Sequence, residues 1–343
     1  MWISIAFMYL GAVIGAGFAS GREAWQYFGV FGDLGYFGTL IEMALFVIFG
    51  VFMVVIAQKE KTADIGEIIL PFKNKRWSRL LGTTVGLINY SALVALSAAG
   101  GAMFEQRFGI HPAAGGALIV FLVLLTVLGD FDRIFHVFRV IMPFLFAFIV
   151  GTALYAGFTL DKVPAPEGAV KPSVLSGVWY LSAVIYASYN LLVTIPINAK
   201  SALRAKSLKQ AVAGVSVGGV CLALMGMILL RMLLLDPVFS ESMSLPILGY
   251  AGRISPLMEN LISIALLTAI YSSATSCYYG FTTRFKEGPN KKKLVIFFAV
   301  LGFFLGLVGF KSLITYMYPL EGYFGMAVLI LISIHFFRVI KRR

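Results

Sequence analysis

The sequence predicts an all-α integral membrane protein with ten transmembrane helices in a 5+5 inverted repeat. Three observations carry that prediction. The chain of 343 residues is 59% hydrophobic and only 13% charged, with a mean hydropathy of +0.90, which no soluble domain of this length sustains. Apolar runs of about 20 residues, enough to cross roughly 30 Å of hydrocarbon, recur near 2–28, 36–58, 80–104, 112–129, 134–158, 174–197, 208–235, 257–284, 293–310 and 312–338. The basic residues are asymmetric about those runs. Twenty-one Lys and Arg fall in alternate connections and the tail, from Lys59 to Arg343, whereas the opposite connections hold five: Arg107, Lys162, Lys171, Arg253 and Lys311. By the positive-inside rule both termini are expected in the cytoplasm of a cell-membrane protein.

An odd number of helices per half inverts the second half relative to the first. The Pro-rich stretch 159–173 divides the chain into a first repeat, 1–158, and a second, 174–343, with the divider outside the cell. Met1 runs directly into an apolar segment, so no cleavable leader is expected. The net charge of +12 suggests nucleic acid, but these basic residues sit in loops between apolar runs, so no nucleic-acid partner is expected; the lipid bilayer and a small solute are.

The first segment holds Gly15, Gly17 and Gly21 within seven residues, followed by Arg22 and Glu23. Glycine costs a helix about 1 kcal/mol relative to Ala, so a break is expected. Main chain freed at membrane depth is tolerated only where protein or a wet cavity satisfies it, which makes this segment a candidate wall of a solute site. The spacings Gly11-x-x-x-Gly15 and Gly17-x-x-x-Gly21 equally suit a close-packing face. In the sixth segment Tyr186, Ser188, Tyr189 and Asn190 place polar groups at mid-membrane, and Pro196 loosens the cytoplasmic end; the choice is between a second solute wall and interhelical hydrogen bonding. The connection 236–256 suits either a lid over the site or a plain surface loop.

The eighth segment crowds Ser272, Ser273, Thr275 and Ser276 into five positions, with Ala269 one turn before the serine pair. Carbonyl and hydroxyl oxygens suit Na⁺, and hydroxyls bonded back to their own helix are the alternative. Glu42, Glu23 and Glu321 are carboxyls at or near membrane depth, able to carry a proton or to form a structural ion pair; Arg22 with Glu321 is the expected pair across the outer mouth.

Other chemistry is absent or coincidental. There is no Walker A run. Gly214 to Gly218 matches G-x-S-x-G inside an apolar helix, without a strand-to-helix elbow, and Asn89-Tyr90-Ser91 is a sequon buried in a segment. Cys221 and Cys277 read as packed thiols, and His111, His136 and His335 as interfacial, without ligand spacing. No catalytic constellation emerges, so an enzyme is not expected.

Ten segments as 5+5, with the run from Gly15 to Glu23, resemble the amino acid–polyamine–organocation superfamily of LeuT-type fold, and more narrowly the YkvI-like bacterial membrane proteins. The resemblance covers essentially the whole chain and implies that helices 1 and 6 are discontinuous. It implies one Na⁺ between segments one and eight, held by Gly11, Ile14, Ala269, Ser272 and Ser273. A second Na⁺ site of the family uses an Asn where this chain has Phe18, so that site is expected to be missing. The resemblance further implies a small, amino-acid-like solute, its carboxylate held by amides around Ala16, Gly17, Phe18, Ala19 and Ser20, with Tyr186, Tyr189 and Asn190 opposite and Arg22, Glu23 and Glu321 at the gate. The implied function is secondary active transport by alternating access, coupled to Na⁺, with no tightly bound cofactor. Proton coupling in the same fold and a solute sensor that does not transport remain the alternatives.

Overall fold

In a computed structural model of the chain, the described residues are 2–129, 146–166, 168–286 and 288–341, without the side chain of Ala16. The start of the expected fifth segment, with Arg133, His136 and Arg139, lies outside them, as do Glu167, Arg342 and Arg343. All regular structure among the described residues is helical: α1 (Trp2–Val13), α2 (Ala16–Ala19), α3 (Arg22–Tyr27), α4 (Leu34–Glu60), α5 (Ile65–Ile69), α6 (Lys75–Phe108), α7 (Pro112–Leu128), α8 (Phe146–Thr159), α9 (Trp179–Arg204), α10 (Leu208–Leu233), α11 (Pro237–Ser242), α12 (Pro246–Ile254), α13 (Pro256–Thr282), α14 (Lys291–Gly306) and α15 (Phe310–Lys341), with short 3₁₀ turns at Gly29–Phe31 and Val174–Ser176. Six of these, α4, α6, α9, α10, α13 and α15, are long and apolar enough to cross a membrane, and α1, α7 and α8 are shorter apolar helices.

Helix ends follow local chemistry. Asn74 caps α6, its side chain accepting from the amides of Arg76 and Trp77, and Gly109 closes that helix at φ 66°. His111, expected at an interface, caps α7 through Nδ1, and Pro112 starts the helix where no amide bond is lost. His335 departs from its interfacial expectation: it is buried, with Nδ1 2.9 Å from the carbonyl of Ile68 on α5.

Packing sorts the helices into two groups. One comprises α1, α4, α9 and α10; the other comprises α6, α7, α13 and α14. α15 lies mainly on α9 and α4. Glycines allow the closest approaches: a Cβ at Gly322 on α15 would sit 2.6 Å from the carbonyl of Ile185 on α9, and one at Gly101 on α6 would sit 2.6 Å from the carbonyl of Pro112. The short helix α2, which follows α1 of the first group in the chain, packs on α13 and α6 of the second.

The first segment is broken, as its glycines predict. The sixth is not: α9 runs without interruption from Trp179 to Arg204, which corrects the expectation that helix 6 is discontinuous. Its two central amide and hydroxyl side chains bond back to their own helix, Asn190 donating to the carbonyl of Tyr186 at 3.1 Å and Ser188 to that of Val184 at 2.6 Å. With those groups satisfied internally and no glycine in the centre, only Pro196 disturbs the ladder, and a single proline kinks a helix more readily than it ends one.

Candidate functional site

The break lies at Ile14 and Gly15. The amide of Gly15 donates to Val13 at 2.8 Å instead of reaching back to Gly11, and the helix restarts as a single turn in which Ala19 donates to Gly15 at 2.9 Å. Ser20 then locks the passage into α3. Its hydroxyl donates to the Gly17 carbonyl at 2.9 Å and accepts from the Arg22 amide at 3.2 Å, and Gly21 turns the chain at φ 79°, a conformation that favours glycine. Phe18, Ala19 and Ser20 are fully enclosed.

Opposite the break stands the hydroxyl face of α13. A Cβ at Gly15 would lie 3.9 Å from Ser273 Oγ, so these two predicted elements are neighbours. Ala269 and Ser272 are buried, and the Ser272 hydroxyl donates to the Ala269 carbonyl at 3.1 Å, leaving its oxygen lone pairs unused. Ile14 is buried, while Gly11 is exposed with open space on its Cβ side.

Beyond α3 stands a group of aromatic rings. Tyr186 and Tyr189 on α9, Tyr27 on α3 and Tyr318 on α15 form a continuous group, with centroids 5.4 Å apart for Tyr27–Tyr186, 5.6 Å for Tyr186–Tyr189 and 5.0 Å for Tyr189–Tyr318. The Tyr27 hydroxyl and both carboxyl oxygens of Glu42 are buried without a hydrogen-bond partner, while the Tyr189 hydroxyl lies against Glu23 and that of Tyr186 against Asn190. Glu23 folds back over Gly17, so that any Cβ at that position would collide with its carboxyl.

The gate differs from expectation. Arg22 does not pair with Glu321; it pairs with Glu241 on α11 at 3.3 Å and also donates to the carbonyls of Glu241 and Met243. Glu321 lies deeper and accepts a hydrogen bond from Ser91 on α6. The physical reason is the connection 236–256, which folds as a lid. The amide of Ile247 donates to the carbonyl of Ser20 at 2.9 Å, Gln106 bonds both ways with Leu245, and the connection's own Pro246, Ile247, Leu248, Tyr250 and Ala251 are buried. Glu241 gathers Arg22, the Trp25 indole at 2.7 Å and Lys311 at 2.5 Å. Burial alone raises a carboxyl's pKa, but these partners outweigh it and hold Glu241 below the ordinary carboxylate range.

Sequence reasoning missed Glu241, Trp25, Lys311, Tyr27 and Tyr318. Tyr27 was within reach of a pattern argument, since it follows Glu23 by four residues and therefore shares its helix face. Glu241 lies in a loop with no periodicity to orient it.

No protein-family model matches the chain. It is 25% identical over 326 residues to the Bacillus subtilis membrane protein YkvI, covering 94% of this chain and 92% of that protein. It is 19% identical over 331 residues to YyaD of the same bacterium, covering 96% and 95%. Among solved structures, that of MhsT in complex with L-phenylalanine superposes with a TM-score of 0.58 at 16% identity, over 95% of this chain and 87% of that one. The chain is thus a multi-pass α-helical membrane protein with the fold of MhsT.

Proposed function

We propose that this protein is a secondary carrier of a small organic solute, working by alternating access in the cell membrane with both termini in the cytoplasm, and that it is not an enzyme. The observation that carries this reading is the juxtaposition of a broken helix at Gly15 with the hydroxyl face of α13, 3.9 Å from Gly15's Cβ position to Ser273 Oγ. Main chain opened at membrane depth is costly unless it binds something or is otherwise satisfied. The shared fold with MhsT, crystallised with L-phenylalanine, supports a solute-binding role.

The coupling cation in this reading is Na⁺, held by the carbonyls of Gly11, Ile14 and Ala269 and the hydroxyls of Ser272 and Ser273. The donor set fits: it is all oxygen and uncharged, and Gly11's carbonyl has lost its regular amide partner to the turn at Gly15. The two packed groups, each drawn from both sides of 159–173, supply the bodies that rock against each other. Counterflow in proteoliposomes tests the carrier reading: a preloaded solute must accelerate entry of its labelled form, and saturable binding without counterflow would make the protein a sensor instead.

Proton coupling is favoured by one observation. Glu23, Glu42 and Glu321 are absent from the ion pairs among the described residues, although each lies at membrane depth. Imposing Na⁺ and pH gradients separately across the same liposomes decides between the two ions.

A further inference from the structure

The C-terminal end of α15 carries two chemistries on one face. Ile330, Ile334 and Phe337 are exposed there, followed by Arg338 and Lys341, at the three- and four-residue spacing that keeps side chains in line along a helix. An open groove of about 600 Å³ runs along that face, lined by Ile334, Phe337, Arg338 and Lys341.

A neighbouring element brings more positive charge to the same place. The Arg338 guanidinium donates to the Pro71 carbonyl at 2.6 Å, and the buried His335 lies 2.9 Å from the Ile68 carbonyl. These two contacts fasten α15 to α5 and to the connection that leads from it to α6. That connection and the first turns of α6 present Lys73, Lys75, Arg76 and Arg79, all exposed, with the rings of Phe72 and Trp77 exposed among them. Such aromatic rings settle at the level of lipid headgroups. None of these four cations, nor Arg338 or Lys341, enters an ion pair among the described residues. The nearby acids Asp64 and Glu67 turn instead to the hydroxyls of Ser78 and Thr62.

The occupant that matches this face is amphipathic. A soluble anion would satisfy the basic end and leave Ile334 and Phe337 bare. A zwitterionic lipid would carry its own cation into a patch of unpaired positive charge. An anionic lipid meets both demands: a guanidinium offers paired N–H donors to a phosphate, and an acyl chain follows the apolar stripe. We propose that the groove at the end of α15 holds an anionic glycerophospholipid, its phosphate between Arg338 and Lys341 and a chain against Ile334 and Phe337. The site is separate from the break at Gly15, so it stands whatever solute the protein carries.

Melting of the purified full-length protein in a neutral detergent tests it, with dioleoylphosphatidylglycerol, dioleoylphosphatidylcholine and glycerol 3-phosphate as probes. Phosphatidylglycerol is expected to raise the melting temperature saturably by mass action, with little or no rise from phosphatidylcholine or from the headgroup alone. Arg338→Gln combined with Lys341→Gln is expected to weaken phosphatidylglycerol affinity about 25-fold, about fivefold for each charge lost near the membrane surface. Lys292→Gln combined with Lys293→Gln removes equal charge from exposed positions at the start of α14 and is expected to leave that affinity unchanged. Should the double variant of α15 fail to fold, Lys341→Gln alone, at an exposed position, is expected to weaken it about fivefold. An equal response to phosphatidylcholine, a response to glycerol 3-phosphate as strong as to the lipid, no response to phosphatidylglycerol, equal losses in both double variants, or affinity unchanged in the α15 variants would overturn the proposal.

Discussion

Arg22 and Glu241 meet at 3.3 Å, and through this contact a helix of the lid is fastened to the first membrane segment just past its break. Arg22 is 0% exposed, whereas the Glu241 side chain keeps 33% of its surface, so the pair is buried from one side only. Lys311 at 2.5 Å joins the start of α15 to the same carboxyl. Opening the site toward this face requires all three to part.

Glu241→Ala should therefore loosen the lid. It leaves a buried guanidinium with only carbonyl partners and Gln26, at a cost of about 1–3 kcal/mol. Hydrogen exchange over residues 236–256 should accelerate relative to the wild type, while α9 and α10 exchange as before. Unchanged protection of the lid would show that apolar burial at Ile247 and Leu248 holds it, not the ion pair.

The same carboxyl sets an acid limit. Its partners lower its folded-state pKa below the ordinary value of about 4.3, so it binds protons less readily folded than unfolded. Its contribution is complete above that ordinary value and disappears as pH falls through the lowered one. The difference in melting temperature between wild type and Glu241→Gln should be constant from neutral pH down to about 5 and shrink at lower pH. A difference that grows on acidification would contradict this assignment.

Gly17 and Glu23 are coupled by space. A Cβ at Gly17 would occupy the position of the Glu23 carboxyl, so Gly17→Ala must displace it. The single substitution should cost about 1–3 kcal/mol, and much less in a Glu23→Ala background. A double-mutant cycle on melting free energies measures the coupling, and additive costs would mean that the carboxyl moves aside freely.

Two other glycines should behave oppositely. Gly322→Ala presses a methyl group onto the Ile185 carbonyl, 2.6 Å away, and overpacking of that kind costs about 1–3 kcal/mol. Gly11 has open space on its Cβ side, so Gly11→Ala should be neutral or stabilise α1 by up to about 1 kcal/mol. Equal costs at the two positions would contradict the helix packing described above.

Apolar runs foretold an all-helical membrane chain, and six helices among the described residues are long and apolar enough to cross a bilayer. The interruption of the first helix at Ile14 and Gly15 lies where glycine makes helix costly. Sequence reasoning placed Ser273 beside that break through a family resemblance and not through spacing alone. It failed at α9, where Asn190 and Ser188 found partners one turn back within their own helix, a choice that composition does not reveal. It failed at the gate for a different reason. Only Glu321 was expected opposite Arg22, and a 21-residue connection with two short helices brought Glu241 to it instead through tertiary packing at Ile247 and Tyr250.

The central claim is that the opened main chain at Gly15 and the hydroxyl face of α13 bind the coupling cation. Equilibrium binding of radioactive sodium to the purified protein tests it, with Ser273→Ala as the variant and Ser276→Ala, at an exposed position of the same helix, as the control. Saturable binding in wild type and Ser276→Ala that is lost in Ser273→Ala is the predicted result. Binding unaffected by Ser273→Ala, or no saturable sodium binding to the wild type, would contradict it.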